Sequence, residues 1–241
     1  MMSPLRGALG PLGVSAGAAV ASNGLLTGLV AYWALDEAAG ANDALDKHSG
    51  GLTLTQVSSP GSAAGKVYAG ARTFDGSSQY FSRASGAAIQ TGGINFAVAA
   101  WFYRAAGGVG IILARDNGGT EREFMLSATD TGTNFVCYPA DAYTSAASGI
   151  ASTGGWHLLI GWRDGGTIYS QLDGAAAIAQ ACAAHDNGAV ETTVGRPGYA
   201  NYLFNGRIGP VAFWKNRTLD AAARAALWNG GNGLAYSAFT A

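Results

Sequence analysis

The sequence predicts an all-β protein, a sandwich or jelly roll of two antiparallel sheets with one short C-terminal helix and an extended N-terminal arm. Three observations carry this expectation. From Gly28 onward, short runs rich in β-branched and aromatic residues are separated by turn clusters. The turns Asp75-Gly76, Asp116-Asn117-Gly118-Gly119, Asp164-Gly165-Gly166 and Asp173-Gly174 supply residues that accept positive φ between hairpin strands. No internal βαβ spacing is present, which argues for antiparallel rather than parallel pairing. No fixed period of 20–50 residues is visible, so a propeller or solenoid is disfavoured.

The elements follow in order. Residues 1–27 read as an arm: up to Gly24 the segment holds one charge, Arg6, with two prolines, many Gly and Ala, and neither helical nor alternating periodicity. A secretory signal is the competing reading, with Arg6 as its basic end and Ala19-Val20-Ala21 as a small-residue cleavage site, but Pro11 and the glycines weaken its apolar stretch. The domain is expected over residues 28–231. Its strands are placed at 29–35, 52–55, 71–75, 79–82, 96–104, 110–115, 123–128, 134–138, 156–163, 167–172, 190–194 and 206–214. Within the 156–163 run, Trp156, Leu158, Ile160 and Trp162 share one strongly apolar face, with His157, Leu159 and Gly161 opposite. The 96–104 run is apolar on both faces, as a central strand would be. The helix is expected from Leu219 to Trp228, capped by Thr218 and stopped by Asn229-Gly230-Gly231. Residues 232–241 form a tail.

Composition narrows the function classes. The 241 residues are 49% apolar and 12% charged, enough for one buried core, and the six Trp, ten Tyr and nine Phe exclude a disordered chain. With 14 basic against 15 acidic residues, the clustered cations that nucleic-acid binding needs are missing. No run reaches the ~20 apolar residues of a membrane-spanning helix, so neither nucleic acid nor membrane is an expected partner. Cys137 and Cys182 read equally as one bridge or as two buried thiols.

Several segments occur in a familiar order: Gly28-Leu29-Val30-Ala31-Tyr32-Trp33-Ala34-Leu35-Asp36-Glu37, Phe74-Asp75-Gly76, the run from Phe96 to Phe102, Gly155-Trp156-His157, Leu172-Asp173-Gly174, and Phe204-Asn205-Gly206-Arg207-Ile208-Gly209 with its continuation to Trp214. Together they resemble the laminin-G-like, concanavalin A-like jelly-roll family over about residues 28–231. The resemblance implies a two-sheet jelly roll, in which Trp101 and Trp156 are large enough to fill the ~10 Å between packed sheets. It also implies a structural calcium in many members. Asp36 and Asp46 are the candidate ligands, but Gly209 stands where the family's late Asp would be, and ordinary turn chemistry is the plainer role for the two aspartates. No other cofactor is expected.

The family spans binding modules, adhesion domains, virion surface proteins and glycosidases, so function must come from residues. Glycoside hydrolysis needs two carboxylates flanking the bond. Only four glutamates exist, and Glu121-Arg122-Glu123 begins at a turn with no third acid on its strand, reading as a solvated edge. The three histidines have no metal-ligand spacing, and the segment Gly61 to Val67 lacks the form of a phosphate-binding loop. No enzyme is expected. Sugar recognition would use loop aromatics with polar residues at their rim, and Tyr138, Tyr143, Arg196, Tyr199, Asn201 and Tyr202 are the candidates.

The expected function is therefore a non-catalytic surface protein of a tailed-bacteriophage virion, as a capsid decoration, head fibre or tail-associated component. It would be held to other virion proteins through residues 1–24 and expose a lectin-like jelly roll to host-surface glycans, with a homo-oligomer left open. The single small module, the nearly uncharged arm and the ending Ala226-Leu227-Trp228-Asn229-Gly230-Gly231-Asn232-Gly233, which resembles jelly-roll proteins encoded in phage genomes, motivate this reading. A secreted bacterial carbohydrate-binding or adhesion module is the alternative, and a glycoside hydrolase a more remote one.

Overall fold

The computed structural model describes residues 22–40, 42–49, 51–199 and 201–241. Most of the expected arm lies outside the described residues. The strands are β1 (Leu29–Trp33), β2 (Thr55–Val57), β3 (Gly61–Ala64), β4 (Gly70–Asp75), β5 (Tyr80–Arg83), β6 (Phe96–Arg104), β7 (Gly110–Arg115), β8 (Phe124–Ala128), β9 (Thr133–Cys137), β10 (Thr144–Ser148), β11 (Trp156–Asp164), β12 (Thr167–Leu172), β13 (Ile178–Ala181), β14 (Thr192–Val194) and β15 (Asn205–Lys215), followed by helix α1 (Ala221–Trp228). One sheet has eight strands in the order β13-β12-β11-β6-β15-β4-β3, with β1 also paired to β15; the other has seven in the order β10-β9-β8-β7-β14-β5-β2. All pairings between the named strands are antiparallel. This is the jelly-roll sandwich the sequence predicts.

Twelve of the fifteen strands correspond to expected runs, and β6, β7 and β12 match them residue for residue. The three unexpected strands, β3 (GSAA), β10 (TSAAS) and β13 (IAQA), are all sheet edges. An edge strand is recruited by one neighbour's backbone, and small or polar side chains suffice there. Local pattern therefore cannot announce it.

The space between the sheets is filled by phenylalanines. Phe96 lies at their centre, with ring centroids 5.1 Å from Phe124, 5.7 Å from Phe135 and 6.4 Å from Phe213. Gly161 on β11 is required here, because a Cβ would sit 2.3 Å from the Phe135 ring. The tryptophan face of β11 points the other way, which corrects the expectation for Trp101 and Trp156. Trp101, Leu158, Ile160, Trp162 and Trp214, with Trp156 packed against them, form a second apolar layer on the outer face of the eight-stranded sheet. Helix α1 and the C-terminal tail cover it: Trp228 stacks on Trp101 at 5.5 Å, and Phe239 is 6% exposed. Each such burial contributes about 1.5–3 kcal/mol, so the tail is an integral part of the fold. Two apolar faces on one strand reveal burial on both sides, but not which side meets the partner sheet.

The chain enters on this same outer face. Leu25 is fully buried, its carbonyl accepting from Trp214 Nε1 at 2.8 Å, and Asn23 exchanges hydrogen bonds with Thr240 and Ala238. The helix cap also differs from expectation: Asp220, not Thr218, is the N-cap, its carboxylate accepting from Ala223 N at 2.8 Å. The chain turns helical directly after Asp220, leaving Thr218 too far upstream to reach the first free amides. Asn229 closes the helix in the left-handed conformation, as expected. Cys137 and Cys182 are free thiols buried in the inter-sheet core.

Candidate functional site

On the outer face of the seven-stranded sheet lies a groove of about 340 Å³. Its floor is apolar: Ile111 on β7 and Met125 on β8 belong to a small cluster that also holds Ala114, Val136 and Tyr138. A bulge in β7 builds this floor. The pairing slips between Ile111 and Leu113, so Ile112 and Leu113 both face the core while Ile111 and Ala114 face outward. The apolar run GIILA, from Gly110 to Ala114, gives no sign of that switch.

Aromatic rings make the walls. Tyr138, Tyr143, Tyr199 and Tyr202 all line the groove. Tyr143 and Tyr202 are 58% and 50% exposed and stand as free platforms, whereas Tyr138 is 1% exposed and serves as a support. Arg122 joins them: its guanidinium lies 3.7 Å from the centre of the Tyr138 ring and pairs with buried Asp116 through Nε at 2.6 Å and Nη2 at 2.8 Å. Burial, with Asp116 adding to it, pushes the Tyr138 and Tyr199 phenols above their usual range, so both hold their protons as hydrogen-bond donors. Ser127 and Thr129 add hydroxyls on the β8 side.

Backbone strain concentrates around this face. Of the eleven described non-glycine residues with positive φ, five border it: Glu121 (φ 67°), Ala140 (48°), Asp141 (60°), Asn201 (134°) and Tyr202 (56°). Such conformations cost on the order of 1–3 kcal/mol each and cluster where loops are held for binding.

Of the six sugar-binding candidates, four therefore meet in one groove. Asn201 flanks it without lining it, and Arg196 lies apart, stacked on Tyr80 at 3.7 Å and paired with Glu191 at 2.9 Å. Arg122, Ile111 and Met125 were not singled out from the sequence. The expectation of a solvated edge at Glu121-Arg122-Glu123 is corrected: Glu123 is fully buried against Arg115, and Arg122 is mostly covered. Glu123 precedes β8, and alternation with Phe124 and Met125 would leave it on the outer face; the tight turn instead brings it against Arg115 at the end of the neighbouring strand and against the Thr91 loop.

The two calcium candidates do not form a cation site. Both oxygens of Asp46 are taken by hydrogen-bond donors: the backbone amides of Tyr32, His48, Ser49 and Leu52, and the Ser49 hydroxyl. Those bonds hold its carboxyl below the usual range although burial opposes them. Asp36 pairs with Lys47 at 3.5 Å. A calcium ion needs six to eight oxygens with free lone pairs, and this donor set does not fit one.

A separate polar row lies at the start of β11. His157 Nδ1 is 2.5 Å from Asp173 Oδ2, and Nε2 is 3.2 Å from Ser152 Oγ and 3.1 Å from the Ser152 carbonyl. The hydrogen bond to Asp173 raises the pKa of the ring. Held between the Asp173 carboxylate and the Ser152 carbonyl, the imidazole ties the Ser152 loop to the turn after β12.

Fold and groove together define a lectin-like β-sandwich. The chain belongs to the concanavalin A-like lectin/glucanases superfamily, whose laminin G-type family model matches residues 75–223. No curated protein matches it. Among solved structures it is similar to domain 4 of AbnA, a GH43 extracellular arabinanase from Geobacillus stearothermophilus, in complex with arabinotriose (14% identity, TM-score 0.63, covering 81% of this chain and 95% of that one). It is also similar to the binding domain of Paraclostridial Mosquitocidal Protein 1 (10%, 0.67, 86% and 53%) and to botulinum neurotoxin type C, whose cell entry is dependent upon interaction with two ganglioside molecules (9%, 0.61, 85% and 51%). The chain spans about half the length of these two toxin chains. At such identities the likeness is one of fold.

Proposed function

We propose that this chain is a non-catalytic glycan-binding module and that the tyrosine groove is its binding surface. The observation that carries the reading is the pair of half-exposed rings, Tyr143 and Tyr202, standing over an apolar floor that holds the buried Ser127 hydroxyl, with Thr129 and Arg122 at the rim. Pyranose and furanose rings present C–H faces that pack on aromatics and hydroxyls that need such polar neighbours. The AbnA domain in complex with arabinotriose supports an oligosaccharide on this fold. Among the described residues the part of the groove around Tyr143 and Tyr202 carries no carboxylate, so the two acids that glycoside hydrolysis needs do not flank a sugar held there. Tyr143→Ala and Tyr202→Ala are each expected to weaken glycan binding roughly tenfold, about 1.4 kcal/mol, without moving the unfolding midpoint. Binding of the full chain to an immobilised glycan panel checks this; a chain that retains no glycan, or variants that bind as tightly as the parent, would overturn it.

The finer part of the proposal is placement: the module is a surface component of a tailed-phage virion, held to other virion proteins by the N-terminal arm. The arm's composition motivates this, and the architecture suits it, because the chain enters on the outer face of the eight-stranded sheet while the groove opens on the opposite face of the sandwich. Deleting residues 1–21 is expected to abolish particle association while leaving a folded, glycan-binding domain. The deletion must stop there, since Asn23 and Leu25 are built into the fold. Particles still decorated by the truncated chain would sink the arm's role.

A further inference from the structure

The groove does not end at Tyr138. Behind the Arg122–Tyr138 stack lies a second cavity of about 280 Å³ that shares both residues with the first and is otherwise lined by Thr120, Glu121, Ala140, Asp141, Asp186 and Asn187. Each space approaches or exceeds the ~300 Å³ at which small-ligand sites begin. Two such spaces meeting at one planar guanidinium and one ring suit a ligand several rings long that crosses the stack.

The electrostatics restrict what that ligand carries. Among the described residues Arg122 is the one cation on either lining, and its charge is matched by the bidentate pairing with Asp116. Arg196, the other candidate cation, is bound to Glu191 elsewhere. The first cavity is lined by neutral groups apart from Arg122, and the second carries three carboxylates, Glu121, Asp141 and Asp186, none of which forms a salt bridge among the described residues.

We propose that the site takes a linear, uncharged oligosaccharide that spans both cavities across the Arg122–Tyr138 stack, and that the second cavity rejects glycans bearing carboxylates. This rests on the glycan-binding reading above and specifies its substrate class. Selectivity of this kind comes from repulsion as much as from contact, and it weakens as salt screens the charges.

The test is titration of the full chain with neutral oligosaccharides from two to six units and with sialylated or uronate-containing glycans of matched length, at low and high salt. Affinity is expected to rise at least tenfold between the disaccharide and the tetrasaccharide, and anionic glycans to bind at least tenfold more weakly than neutral ones at low salt. The combined variant Glu121→Gln, Asp141→Asn, Asp186→Asn keeps the acceptor oxygens that hold Ala189 N and Arg122 N, so it is expected to narrow the low-salt gap between neutral and anionic glycans from at least tenfold to less than threefold. Sialylated glycans bound as tightly as neutral ones, or affinity flat with chain length, would overturn this inference and leave the glycan-binding reading standing. Failure of every glycan to bind would remove both.

Discussion

Replacing Glu123 with alanine is expected to cost the domain about 3–5 kcal/mol, the largest effect of any polar substitution considered. Glu123 and Arg115 are both fully buried and pair at 2.7 Å between neighbouring strands. The second Glu123 oxygen accepts from Thr91 N and Oγ1 at 2.8 and 2.7 Å, and the first also accepts from Gly188 N at 2.9 Å. Burial alone would raise the carboxyl pKa, but Arg115 and these donors outweigh it and hold it low. Alanine leaves the Arg115 guanidinium in the interior without a counter-charge, and strips the loop residues Thr91 and Gly188 of their acceptor. Chemical denaturation of the two proteins checks the value. A double change, Arg115→Met with Glu123→Leu, is expected to recover most of the loss, because removing both charges removes the desolvation cost with them. A Glu123→Ala protein within 0.5 kcal/mol of the parent would show that the network is not structural.

The second large effect is acid destabilisation through His185, worth about 3 kcal/mol at full extent. Thr91 Oγ1 donates to Glu123, so its lone pair accepts from His185 Nε2 at 2.9 Å, leaving Nδ1 bare and without a partner in the interior. Protonating Nδ1 would bury a charge and an unmatched donor. Burial, with Arg163 and Arg115 acting in the same direction and Glu123 against it, depresses the folded-state pKa from 6.5 to about 4. The sign follows: above pH 6.5 both states are neutral and the full stability is present. As pH falls from 6.5 towards 4, the unfolded chain takes up a proton that the folded one refuses, and stability drops. His157 has the opposite sign, because Asp173 raises its folded pKa; its contribution is complete below 6.5 and is lost only as pH rises through the raised value. Denaturation midpoints are expected to fall between pH 7 and 5.5 in the parent and to stay level over that range in His185→Gln, while below it both proteins lose stability as the low-pKa carboxyls Glu123 and Asp46 titrate in the unfolded chain. Parallel curves would exclude His185 as the cause.

How much of the site was legible in the sequence depends on what each residue answers to. Tyr199 and Tyr202 sit in a loop marked as surface by Gly195, Pro197 and Gly198, Tyr143 follows Pro139 and Asp141 between two strands, and an aromatic in such a connection stands out. Arg122 gave no such signal, since its role comes from Asp116 across a turn and the Tyr138 ring beyond the next strand. The same distance hid Glu123, which reads as an exposed acid until strand pairing sets Arg115 beside it. Arg196 misled in the other direction: its neighbours in sequence suggested a binding loop, while Tyr80 and Glu191 hold it elsewhere.

The class of fold, the central strands and the hairpin turns are written locally, because alternation, β-branching and positive-φ residues are properties that each strand and turn must satisfy alone. Packing settles which apolar face of β11 meets the other sheet, that the C-terminal tail seals the opposite one, that three small-residue segments become edge strands, and that four tyrosines converge on one groove. Those outcomes depend on partners far away in the chain, and a residue's own neighbourhood carries no record of which distant backbone, ring or charge will be brought against it.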